Sequence, residues 1–176
     1  LFSSDFGNDV VDDGFFGAKT SFPIVTFEEN TLILAEAQAK QGLFGDALTS
    51  LNTLRAYYRT GNQVNVGYRG LGIVYDDFVA ADFDNGGIEN PDNITPINAL
   101  LREILEERYI TLTGQLEAFN DVRRTKNLLN IPIKSGASKF PQRLLYPQSE
   151  VNSNAANIPT TAVGLFDETP INQTPY

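Results

Sequence analysis

Hydrophobic and polar positions near the start of the chain alternate with the period of two helices. One is predicted from about residue 26 to residue 41, ending at Gly42, since glycine accepts the left-handed backbone of a helix terminus. The next is predicted from about residue 46 to residue 59, with the Asp46 carboxylate as its cap. The spacing Ala35-x6-Gly42-x-Phe44-x2-Ala47-x3-Leu51 is typical of a tetratricopeptide-type hairpin, so residues 26–59 are predicted to form one. The apolar stripe of the first helix contains Leu32, Ala35 and Ala39, widened by Ile33, Leu34 and Ala37.

The helical period is lost between residues 60 and 93, where glycines, asparagines and acidic residues alternate with aromatic ones. Connections of this length are uncommon within a compact domain and usually carry a function. We therefore predict a long irregular loop over residues 60–93.

A further pair of helices is predicted over residues 95–126. Thr95-Pro96 opens the first of them, with the threonine hydroxyl as cap and proline in the first helical position, and a continuous apolar stripe follows. The second runs from about Leu116 to Lys126. Residues 127–176 are rich in proline, asparagine and threonine and are predicted to wrap the helical body as extended chain. The expected fold class is all-α, in a single unit spanning residues 1–176.

Composition excludes several classes of function. The net charge is −9, so the surface repels phosphate backbones and nucleic acid is not an expected partner. Histidine and cysteine are absent, which excludes Ser-His-Asp triads, thiolate nucleophiles and histidine- or cysteine-ligated metals. A glycine-rich stretch at residues 67–72 is followed by no lysine and lies in no strand–helix unit, so phosphate binding is not expected there either.

Three stretches, taken together and in order, resemble the C-terminal region of the SusD/RagB family. The first is residues 22–37, which contain an Ala-Glu-Ala pattern; the second combines residues 101–110, with Glu-Glu-Arg-Tyr, and residues 117–125, with Asp-Val-Arg-Arg. The third is residues 140–154, which begin Phe-Pro-Gln-Arg. The resemblance extends over roughly residues 22–157.

This resemblance implies an all-helical body with tetratricopeptide-like hairpins and long loops. Members of the family are lipid-anchored proteins of the bacterial outer-membrane surface that hold oligosaccharide, or peptide in some members, over a TonB-dependent transporter. They are several hundred residues long, so we expect this chain to be a soluble C-terminal fragment of such a lipoprotein and the remaining N-terminal part of the same protein to be one of its partners. The resemblance implies capture and delivery of a nutrient without catalysis.

Charged residues of the second motif are predicted to be structural. Arginine side chains that match carboxylates across two neighbouring helices would fix the relative register of those helices. The predicted structural ion pairs involve Glu106, Glu107, Arg108, Asp121, Arg123 and Arg124. A ligand role for Arg123 or Arg124 is the less favoured alternative.

Ligand contacts are predicted in the loop, because a sugar needs an aromatic plate with short polar groups at its edge. The candidate residues are Tyr68, Arg69, Tyr75, Asp76, Asp77, Phe83 and Asn85. The alternative, which we favour for the aromatic rings, is that they anchor the loop onto the core. No cofactor is expected; a calcium ion among the loop acids is a weak alternative, since the segment Asp82-x-Asp84-Asn85-Gly86 lacks a complete ligand set.

Two other functions compete with nutrient binding. A tetratricopeptide adaptor that grips peptides would require more repeats in tandem than this chain contains. A carboxylate-based glycoside hydrolase would require two carboxyl groups at a defined separation, which the sequence does not specify.

Overall fold

All regular elements of the described chain are helical. The computed structural model describes residues 24–61, 75–137, 139–158, 164–173 and 176. Within these ranges five α-helices and three short 3₁₀ turns occur and no strand does, which confirms the predicted all-α class. None of the helices in these ranges combines the length and apolar character needed to cross a bilayer.

The first two helices form an antiparallel hairpin. Helix α1 spans Phe27–Lys40, and the Thr26 hydroxyl caps it by accepting a hydrogen bond from the Glu29 amide at 3.1 Å. Helix α2 spans Phe44–Arg59. Gly42 lies in the turn between them with φ of +78°, a left-handed conformation that a residue with a side chain adopts only at a cost. A tetratricopeptide relationship for this hairpin stays a prediction.

The start of α2 differs from the prediction. The helix begins at Phe44, two residues before Asp46, and Leu43 occupies the capping position without a side-chain hydrogen bond. Asp46 therefore lies inside the first turn. Its negative charge is still favourable there, because the exposed amides of a helix N-terminus carry partial positive charge.

Two more helices complete the body. Helix α3 spans Pro96–Thr111, with proline at its first position as expected, and α4 spans Leu116–Arg124. Thr95 occupies the capping position of α3, but its hydroxyl accepts no capping hydrogen bond, so that part of the prediction was wrong. A 3₁₀ turn, Ala80–Phe83, precedes α3 and packs against it.

The hydrophobic core is shared by α1, α2, α3 and the 3₁₀ turn. Small residues of the first two helices, Ala35 and Ala47, are completely buried within it, as the sequence spacing predicts. The widened stripe of α1 is not covered: Ile33 and Leu34 are each about half exposed. The largest completely buried apolar side chains are Leu32, Leu51, Leu54, Phe83, Leu100, Ile104 and Leu112.

The C-terminal region is only partly the extended wrap that its composition predicts. It contains a short helix, α5 (Gln148–Ser153), and 3₁₀ turns at Ala155–Asn157 and Pro170–Gln173. Backbone bonds tie distant parts of it together, since the Gln142 amide donates to the Leu165 carbonyl at 2.7 Å. Arg143 donates from Nε to the Asp167 carbonyl at 2.8 Å.

The turn between α1 and α2 can be tested with two glycines three residues apart. Gly42→Val should lower the free energy of unfolding by about 1–2 kcal/mol, because a β-branched residue is strained at positive φ. A Cβ at Gly42 would meet no atom within 4 Å, so the loss would come from the backbone alone. Gly45→Ala is the matched control; it lies inside α2 with open space around its Cβ and should stabilise by about 0.5–1 kcal/mol. Urea denaturation measures both, and equal stabilities for the two variants would contradict the assigned turn.

Candidate functional site

Aromatic residues of the predicted ligand loop face the core. The Tyr75 ring lies 5.2 Å from the Tyr58 ring, and the Phe78 ring lies 5.4 Å from the Phe83 ring. Phe83 is completely buried. It therefore has no free face for a sugar, and its prediction as a ligand contact was wrong. Tyr75 is mostly buried beside Arg55, whose guanidinium carbon lies 5.1 Å from the ring centre.

Side-chain amides hold the same loop in one backbone conformation. Asn52 of α2 donates to the Phe78 carbonyl and accepts from the Phe78 amide, both at 2.9 Å. Asn90 is completely buried and bonds the Phe83 carbonyl and both backbone groups of Ile94. A buried amide with its hydrogen bonds satisfied is a specific anchor, since each lost bond would leave a desolvated polar group. The region from Tyr75 to Ile94 is thus held in a defined conformation by packing and by side-chain hydrogen bonds.

The remaining predicted loop residues differ in their placement. Asp77 is exposed and pairs with Arg59 at 2.6 Å, while Asp76 is exposed and its carbonyl accepts from Arg55 at 2.6 Å. Asn85 is also exposed. For these three a ligand role stays a prediction. Tyr68 and Arg69 lie outside the described residues.

The loop acids do not assemble into a metal site in the described part of the chain. No group of three or more potential metal-ligating side chains comes together there. The Asp82 carboxylate accepts the Val79 amide at 2.8 Å, so it serves as a turn cap.

A buried ionic network joins α1, α3 and α4. Arg108 of α3 donates to both oxygens of Asp121 on α4, at 2.9 and 3.3 Å. Arg124 donates from Nε to Asp121 Oδ1 at 2.7 Å. Its two terminal nitrogens donate to the carboxylate of Glu36 on α1, and the Nη2–Oε2 distance is 2.7 Å. Arg108 Nε also lies 3.8 Å from Glu36 Oε2. Two cations therefore balance two carboxylates where three helices meet.

The C-terminal residue completes this network. The Tyr176 hydroxyl donates to Glu36 Oε1 at 2.6 Å, and Lys40 Nζ lies 3.5 Å from the Tyr176 ring centre. Burial alone would raise the pKa of the Glu36 carboxyl, but the hydrogen bonds from Arg124 and Tyr176 outweigh burial and hold that pKa below its ordinary value. Glu36 was not among the predicted ion-pair residues. Its position in the apolar stripe, between Ala35 and Ala39, could have identified it, because a carboxylate buried among alanines needs a cationic or hydrogen-bonding partner.

Three other predicted ion-pair residues are placed differently. Glu107 is buried with its carboxylate 3.5 Å from Arg55 of α2. Glu106 is exposed and Arg123 donates to the Gln142 carbonyl and to Asn120 Oδ1; neither forms an ion pair with another described residue. For these two the predicted ion pair stays a prediction, and within the described residues Arg123 instead joins α4 to the C-terminal region.

A cleft of about 390 Å³ lies between the end of α4 and the C-terminal region. Its described lining combines three cationic side chains, one carboxylate, two phenylalanines and a few neutral residues. They are Val122, Arg123, Lys126, Asn127, Ile133, Lys139, Phe140, Gln142, Phe166 and Glu168. We refer to it as the basic cleft.

A second cleft, of about 330 Å³, is mainly acidic: Glu89, Glu103 and Glu106 line it beside one cation, Arg102. Burial of the Glu103 carboxyl, together with the nearby Glu89 carboxyl, raises the pKa of Glu103 to about 8. The Glu103 carboxyl is therefore largely protonated near neutral pH.

Comparisons with protein-family models, with curated proteins and with solved structures found no match for this chain.

The network predicts unequal costs for removing two motif carboxylates. Asp121→Asn should lower the free energy of unfolding by about 3–5 kcal/mol, because it leaves Arg108 and Arg124 with an uncompensated buried charge. Glu106→Gln should change it by no more than about 0.5 kcal/mol, since that carboxylate is exposed. Urea denaturation at neutral pH measures both, and similar losses would show that the network does not stabilise the helix junction.

The acidic cleft predicts a loss of stability as pH rises. The pKa of Glu103 in the folded chain, about 8, exceeds its ordinary value of 4.5, so its contribution is complete below pH 4.5 and is lost as pH rises through 8. Unfolding free energies of the wild type and of Glu103→Gln, compared at about pH 5, 7 and 9, should converge at low pH and diverge in favour of the variant at high pH. A constant difference across the range would contradict the raised pKa of Glu103.

Proposed function

We propose that this chain is part of a non-catalytic, surface-exposed nutrient-binding protein of the SusD/RagB type. Such a protein captures oligosaccharide and delivers it to a partner TonB-dependent transporter of the outer membrane. In the full-length protein a lipid anchor holds it at the membrane surface.

One observation carries this proposal: the sequence stretches that resemble the family meet in space through their charged residues. Glu36 comes from the Ala-Glu-Ala stretch, Arg108 from Glu-Glu-Arg-Tyr, and Asp121 and Arg124 from Asp-Val-Arg-Arg, and all four belong to one network. The Phe-Pro-Gln stretch contacts the second motif at a separate point, where the Gln142 carbonyl accepts from Arg123 Nη1 at 2.5 Å. The four network residues come from separate segments of the sequence but contact one another in the folded chain. This supports reading the three stretches as one motif set.

The structural roles of the charged and aromatic residues also support a binding protein over an enzyme. Most of its charged motif residues bond between helices, and the aromatic rings of residues 75–83 pack against the core. A carboxylate-based glycoside hydrolase requires two carboxyls at a defined separation, about 5 Å for the retaining type and more for the inverting type. Glu89 and Glu103 line the same acidic cleft, so the test below includes them.

Binding without cleavage is the expected result of a direct test. The chain, titrated calorimetrically with a panel of neutral and acidic oligosaccharides, should bind at least one of them with a stoichiometry close to one, because the proposal assigns it a ligand site and no reaction. Prolonged incubation followed by chromatography of the sugars should show no shortened product.

The control for that test is the double variant Glu89→Gln/Glu103→Gln, which removes the paired carboxyls of the acidic cleft. Product formed by the wild type and lost in this variant would replace the proposal with a hydrolase. Product formed equally by both would come from a contaminating enzyme, and binding would then be read from the titration alone. Absence of binding to every sugar in the panel would overturn the proposal.

A further inference from the structure

The basic cleft has the opposite charge to the rest of the chain. The whole sequence contains 13 lysines and arginines against 22 aspartates and glutamates. The cleft lining contains Arg123, Lys126 and Lys139 against one carboxylate, Glu168. Like charges that converge in an otherwise acidic protein raise the local concentration of anions and oppose the compact state through their repulsion. A bound anion would relieve this repulsion, so the cluster favours an anionic ligand.

Arg123 contributes a fixed charge to this cleft. Its terminal nitrogens donate to the Gln142 carbonyl at 2.5 Å and to Asn120 Oδ1 at 2.6 Å, and its guanidinium carbon lies 4.7 Å from the Phe119 ring centre. The acceptors are neutral, so the positive charge is not cancelled within the described part of the chain. The Nε atom is buried and has no hydrogen-bond partner there.

The two lysines of the cleft come from different segments of the chain. Lys126 follows the end of α4, where it adopts a left-handed backbone with φ of +53°, and Lys139 precedes Phe140. Both are exposed, and neither forms an ion pair with a described residue. Their ammonium groups are therefore free to approach a ligand as mobile point charges beside the fixed guanidinium.

Apolar surface lies beside these charges. Phe166 is 41% exposed and Ile133 is 39% exposed, so a flat ring and an aliphatic side chain remain available on the cleft wall. An exposed aromatic face offers contact area at a low cost in side-chain entropy, and the C–H face of a sugar ring matches it. The cleft volume, about 390 Å³, lies within the range of small-molecule sites, about 300–1,000 Å³.

We infer that the basic cleft binds an anionic saccharide, with its carboxylate or sulfate beside Lys126, Lys139 and Arg123 and a sugar ring against Phe166. This inference rests on the proposed function and adds the chemical class of the ligand and a site outside the loop of residues 60–93. A carboxylate and a sulfate present the same charge to ammonium groups, so the test includes both.

The experiment is calorimetric titration of the full chain with three short oligosaccharides: one of galacturonate units, one carrying sulfate and one neutral glucan. At least one acidic probe should bind more tightly than the glucan. Its affinity should fall when salt is raised from about 0.05 M to about 0.5 M, because screening shortens the reach of exposed charges. A preference for galacturonate identifies a carboxylate ligand and a preference for the sulfated probe identifies a sulfate.

The double variant Lys126→Gln/Lys139→Gln tests the site itself. It should weaken binding of the preferred acidic probe by about threefold to tenfold, in line with the value of exposed charge pairs, without lowering the melting temperature. Lys134→Gln is the matched control, since Lys134 is an exposed lysine of the same region that does not line the cleft, and it should leave affinity unchanged.

Failure of this inference differs from failure of the proposed function. Binding of the neutral glucan as tightly as both acidic probes, or equal affinities for the double variant and the Lys134→Gln control, would overturn the anionic site and leave the nutrient-binding proposal standing. Absence of binding to all three probes would overturn the anionic site, whereas only absence of binding to the whole panel of neutral and acidic oligosaccharides would overturn the proposed function.

Discussion

The fold depends on a charge-balanced junction at which Glu36, Arg108, Asp121 and Arg124 pair between three helices. Hydrophobic contacts are not directional, so apolar packing specifies the register of two helices less sharply than paired charges do. Guanidinium groups that bond two carboxylate oxygens accept only a narrow range of geometries. The network therefore determines the register of α1, α3 and α4, and the terminal Tyr176 hydroxyl secures the end of the chain to the same junction.

This junction also explains the position of the basic cleft. Arg123 and Arg124 are neighbours in α4, and successive residues of a helix point about 100° apart. Arg124 therefore turns toward Glu36 while Arg123 turns toward the C-terminal region and the Gln142 carbonyl. One pair of arginines thus serves two purposes: one member holds the helices together and the other supplies a fixed charge to a surface cleft.

Burial also determines the role of residues 75–94, the described part of the loop between α2 and α3. Its rings pack on the hairpin, and Asn52 and Asn90 satisfy the backbone groups that this packing removes from water. Gly87 is required within it, since a Cβ there would lie 2.3 Å from the Asp82 carbonyl oxygen. A composition rich in tyrosine, aspartate and asparagine is common to sugar-binding loops and to loops that are simply well anchored, so composition alone could not separate the two roles.

The four main helices, the turn at Gly42 and the all-α class could be predicted from residue order, because helical periodicity, glycine and proline act locally. The structural role of most of the Arg-rich motif could be predicted as well. The three-dimensional arrangement was needed to show which carboxylate each arginine meets, that Glu36 and Tyr176 belong to the network and that Phe83 is core. It was also needed to show that Arg123, Lys126, Lys139 and Phe166 line one cleft. These facts depend on pairs of residues up to 140 positions apart, and chain periodicity contains no information about which distant side chains will meet.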